Sequence, residues 1–64
     1  MTPLEALLIE SLRVAVEMRT AQARYFRAPR DSDEKREALR QSKALERKFD
    51  ALAPQALRHA ETRR

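Results

Sequence analysis

The sequence predicts an all-α fold, an antiparallel two-helix hairpin. Three observations carry this reading. Alanine, leucine, arginine and glutamate dominate, all strong helix formers, while glycine is absent. Beyond the first dozen positions the only β-branched residues are Val14, Val16, Thr20 and Thr62, and no segment alternates apolar and polar with a period of two for the length of a strand. Two long stretches carry apolar residues in steps of three and four, the spacing of one helix face, and a proline-containing break separates them.

The first helix has a start signal. Thr2 suits the N-cap, Pro3 the first helical position, and Glu5 completes a capping box. The helix is expected over 3–28, because the residue before Pro29 avoids the α region. Residues 29–33 read as a turn. Asp31 is the expected N-cap of the second helix, with Glu34 at its N3 position, and Asp33 and Glu34 suit the positive end of the new helix dipole. The second helix is expected over 32–53, where Pro54 interrupts it. A short helical extension through Ala56, Leu57 and Ala60 follows, with a frayed end over 61–64. Residues 1–64 form one domain.

A short connection makes the helices antiparallel neighbours. Leu4, Leu7, Ser11, Val14, Met18, Ala21 and Tyr25 form one stripe, and Ala38, Ser42, Leu45, Phe49, Leu52 and Ala56 form the other. Folding at the turn pairs Met18 with Ser42, Val14 with Leu45, Ser11 with Phe49 and Leu7 with Leu52. Small residues then face large ones twice, as interdigitation requires.

The first helix also carries a second apolar set, Leu8, Ile9, Leu12, Val16 and Phe26. At about 100° per residue its apolar arc approaches roughly 220°, against the ~100° stripe that faces a single core. One partner helix cannot cover it. Self-association into a four-helix or larger bundle is therefore expected, with Leu8, Ile9, Leu12, Val16 and Phe26 at the interface. Docking of that face on a different protein is the competing reading.

Composition excludes much chemistry. Without cysteine there is no disulfide, thiolate metal site or redox pair, and without glycine no glycine-rich phosphate loop. No apolar run is long enough to span a membrane. The expectation is a cytoplasmic chain with no metal and no cofactor. His59 is the single histidine and has no nearby serine or cysteine nucleophile. Glu46 and Asp50 share a helix face but lack the Glu-x-x-His companion of a di-metal bundle site. The chain is expected not to be an enzyme.

Charge points to anions instead. The formal net charge is +4, and eleven of the fourteen basic residues are arginines, whose forked donors suit phosphate and carboxylate. Arg19 lies inside the wide apolar arc, and Gln22 beside it; polar groups there need partners when buried. The structural reading pairs Arg19 with Glu46 or Asp50 of a neighbouring chain, with Gln22 fixing register. The ligand reading is an anion site between subunits, with Arg19, Gln22 and Tyr25 contacting a nucleotide. Near the turn, Arg24, Arg27 and Arg30 flank Tyr25 and Phe26, an arrangement that suits nucleic-acid phosphates and a stacked base. Asp31, Asp33 and Glu34 partly neutralise that patch.

The runs Met18-Arg19-x-Ala21-Gln22-x-x-Tyr25-Phe26 and Ser42-Lys43-x-Leu45-Glu46-x-x-x-Asp50 resemble those of small helical-hairpin proteins encoded by bacteriophages and other mobile elements. The resemblance covers roughly residues 14–52. Those relatives often carry a lysine where this chain has Ala23. The resemblance implies a helical hairpin in a phage or mobile-element setting and supplies no activity. The expected function is that of a non-enzymatic homo-oligomeric binding protein holding an anionic ligand such as a nucleotide between subunits. The alternatives are a nucleic-acid-binding bundle and a protein-docking inhibitor that uses the second apolar face.

Overall fold

The capping box forms as the first residues require. In the computed structural model, which describes residues 1–62, Thr2 is extended and its hydroxyl accepts the Glu5 N–H at 3.1 Å, while the Glu5 carboxylate accepts the Thr2 N–H at 3.2 Å. Pro3 occupies the first turn, where its missing N–H leaves no bond unmade. Helix α1 runs over Pro3–Arg27. Ala28 is already extended, with ψ 148°, as the residue before Pro29 must be.

The reversal occupies residues 28–32, and helix α2 (Asp33–Thr62) starts one residue later than expected. The Ser32 N–H donates to the Pro29 carbonyl at 3.2 Å, closing a tight turn whose third residue, Asp31, has φ 60°. Aspartate tolerates this left-handed region better than most residues. An N-cap needs extended dihedrals, so Asp31 cannot both turn the chain and cap the helix. Ser32 caps it instead, its hydroxyl accepting the Lys35 N–H at 3.0 Å.

The expected break at Pro54 does not occur. Helix α2 passes through Pro54 and continues to Thr62, so the expected second helix over 32–53 and its separate extension are one element. Proline leaves only the Asp50 carbonyl without its intrahelical donor. Asp50 and Pro54 both lie on the exposed side of α2, and the Gln55 side chain donates to the neighbouring Ala51 carbonyl at 2.8 Å. Beyond the proline, Ala56 is buried against α1, which holds the continuation in place. Glu61 and Thr62, expected to fray, are helical, with the Thr62 hydroxyl donating to the Arg58 carbonyl at 2.9 Å; Arg63 and Arg64 lie outside the described residues.

The helices pack antiparallel into a rod of 49 × 17 × 13 Å. Val14, Ala21, Ala38 and Ala56 form the buried apolar seam, together with Ser11 and Ser42. Met18, Leu45, Phe49, Leu7 and Leu52, the larger members of the expected facing pairs, are half-buried along it. Polar contacts across the helices agree with that register: Lys48 Nζ lies 3.2 Å from Glu10 Oε1, and Arg24 Nη1 donates to Gln41 Oε1 at 3.0 Å. Small side chains let the helices approach closely, but the seam is thin. Among the described residues, Val14 is the only large side chain below 2% exposure.

Candidate functional site

The second apolar set of α1 is bare. Leu8 and Ile9 are 42% and 44% exposed, Leu12 and Val16 67% and 66%, and Phe26 79%. Ile9, Leu12, Val16, Arg19, Ala23 and Phe26 follow strict alternating steps of three and four, the spacing of a coiled-coil seam. Helix α1 therefore carries two such seams. One is occupied by α2 and the other faces solvent. At the N-terminal end of α1, α2 extends the bare surface: Leu8, Ser11, Leu12, Phe49, Ala53 and Leu57 line a trough in which Leu57 is 63% exposed.

Arg19 projects from the middle of this bare seam. It is exposed and makes no hydrogen bond or ion pair among the described residues. Gln22 and Tyr25 are half-buried and follow it along α1 toward the turn. Within one chain the three line a ridge and do not converge on an enclosed pocket. Glu46 and Asp50, the expected carboxylate partners of Arg19, are exposed on α2.

Tyr25 is already engaged. Lys35 Nζ lies 4.1 Å from its ring centroid and donates to its backbone carbonyl at 2.7 Å, and the Phe26 ring meets it edge-on at 5.3 Å. Sequence reasoning missed Lys35. The signal was available, since the register that pairs Met18 with Ser42 also sets Tyr25 opposite Lys35.

The arginines near the turn do not form one free patch. Arg24 is held by Gln41, and Arg27 Nε folds back onto the Ala23 carbonyl at 3.4 Å. Only Arg30 of the expected trio has no partner among the described residues, and it shares its shallow depression with Asp31, Lys35 and Arg36. Arg36 is itself tied to the Asp33 carboxylate and to the Asp31 carbonyl. Arg27 and Arg36 find acceptors four and three residues back along the chain, which the sequence reading left uncounted, whereas Arg24 reaches across to α2.

Among the described residues no three histidine, cysteine or carboxylate side chains are grouped as metal ligands, and no helix is long and apolar enough to cross a membrane. Compared with protein-family models, curated proteins and solved structures, the chain matches none.

Proposed function

We infer that this chain acts by binding rather than by catalysis, as a homo-oligomer whose copies bury the second seam of α1. One observation carries the reading: a heptad-spaced seam, apolar except at Arg19, stands open to solvent on a hairpin whose own core is thin. An isolated pair of helices with one large buried side chain gains too little from burial to offset chain ordering. Covering Leu8, Ile9, Leu12, Val16 and Phe26 supplies what is missing, at about 25 cal/mol per Å² of apolar surface removed from water. The likeness to phage and mobile-element hairpins supports an accessory role of this kind.

The same reading requires a counter-charge for Arg19 once the seam is covered. A carboxylate from another copy meets that need, and so does a bound anion such as a nucleotide, for which Gln22 and Tyr25 are the further contacts. Sedimentation at micromolar concentration tests the assembly. The expected result is a helical oligomer, with Leu12→Asp or Val16→Asp dissociating it and lowering helicity together. A well-folded monomer of the parent chain overturns the proposal and leaves the seam to a different protein.

A further inference from the structure

We propose that the second seam is covered by another copy of α1 running antiparallel to the first, with Glu5 of the partner subunit as the counter-charge of Arg19. This rests on the homo-oligomeric reading and adds direction and register to it.

The argument is one of charge and length. Continued by one step toward the N-terminus, the seam reads Glu5, Ile9, Leu12, Val16, Arg19, Ala23, Phe26. It holds one acid near its start and one base past its middle, and both are exposed. A parallel pair stacks Arg19 on Arg19 and Glu5 on Glu5, which places like charges in an apolar seam. An antiparallel pair brings the two ends together. Helix α1 spans Pro3–Arg27, and coiled-coil layers in antiparallel pairs match alternate seam positions. The register that satisfies this and overlaps nearly the whole helix is centred at Val14. It lays Leu12 on Val16 of the partner subunit and Ala23 on Glu5 of the partner subunit. Ala23 is the smallest side chain of the seam, so it leaves room for the carboxylate. Arg19 lies one helical turn away on the same face, within the reach of its long side chain.

Two further features fit. Glu5 keeps one carboxylate oxygen outside its capping box, since both bonds to Thr2 use Oε1. Phe26, at 79% the most exposed large apolar side chain of either helix among the described residues, is carried to the Leu57 end of the trough on the partner, where Leu57 is 63% exposed. In a parallel pair those two apolar groups lie at opposite ends of the rod.

The chain has no cysteine, so a single spin label at Arg27→Cys is unambiguous. Arg27 is exposed and lies outside the seam. The antiparallel pair separates the two labels by roughly 26 residues of helical rise, about 40 Å. A parallel pair holds them within roughly 20 Å, because packed helix axes lie about 8–10 Å apart. A dominant separation near the longer value is the expected result. A short separation in an intact oligomer overturns the antiparallel arrangement while leaving self-association standing. Absence of any dipolar signal, in a chain that sediments as a monomer, removes both. The ion pair is read separately by Glu5→Gln, which retains the capping box, and Arg19→Met. Removing either partner should weaken association roughly tenfold, and the double variant should lose no more than the worse single variant. Additive losses overturn the pairing of Arg19 with Glu5.

Discussion

Lys35 closes the hairpin by supplying Tyr25 with a hydrogen bond that the backbone cannot make. The Tyr25 carbonyl sits in the last turn of α1, where its intrahelical donor would be the N–H of residue 29. Residue 29 is proline and has none. Lys35, in the first turn of α2, donates its ammonium to that carbonyl at 2.7 Å while resting 4.1 Å above the centre of the tyrosine ring. One side chain thus satisfies an orphan acceptor, favours the negative end of the α1 dipole and ties the two helices at the turn.

Replacing Lys35 by methionine keeps the stem and removes the ammonium. A charged hydrogen bond and a cation–π contact are lost together, so stability should fall by about 2 kcal/mol. Chemical denaturation of the two proteins reads this directly. Pro29→Ala on top of Lys35→Met should recover part of the loss, because it frees Ala28 to return to helical dihedrals and so lets the residue-29 N–H reach the Tyr25 carbonyl. No recovery would mean that the tyrosine ring, and not the carbonyl, is what Lys35 serves.

Pro54 makes a second prediction. It lies inside an exposed, continuous helix, where proline is about 3 kcal/mol less favourable than alanine. Part of this is offset because proline also restricts the unfolded chain. Pro54→Ala should therefore stabilise the protein by about 2 kcal/mol and leave its helical content nearly unchanged in circular dichroism. A large rise in helicity instead would show that α2 stops at residue 53 in solution.

The contrast between Thr2 and Asp31 explains what the sequence disclosed. Thr2-Pro3-x-Glu5 is a local signal, complete within four residues, and the structure forms it as written. The two core stripes are also local in origin, because helix periodicity alone places Ser11, Val14 and Ala21 on one side. Asp31 and Ser32 compete for one role, and the choice depends on how the chain must bend to bring α2 back onto α1. Pro54 fails as a stop for a similar reason: beyond it Ala56 packs against α1, a contact with a distant segment that no local preference registers. The same logic governs the surfaces. The bare seam was legible because exposure follows from one helix having two apolar faces. The partners of Arg24 and Tyr25 emerge only when the two stripes are laid side by side in register, and the Arg27 contact with the Ala23 carbonyl depends on its rotamer.

Ser11 makes the last prediction. It is buried in the seam opposite Phe49, and its hydroxyl has no hydrogen-bond partner. Its counterpart Ser42 is equally buried but donates to the Leu39 carbonyl at 3.0 Å. An unpaired buried hydroxyl carries a desolvation penalty with nothing to offset it, and alanine has the higher helix propensity as well. Ser11→Ala should thus raise stability, by about 1 kcal/mol. The matching Ser42→Ala change removes a formed bond and should be neutral or mildly destabilising. Thermal melts of the two variants separate these cases. A Ser11→Ala protein less stable than its parent would mean that the hydroxyl is bonded in solution. That bond would have to come from a rotamer reaching the Leu7 carbonyl or from a group brought to the adjoining Leu8–Leu12–Leu57 trough by another copy.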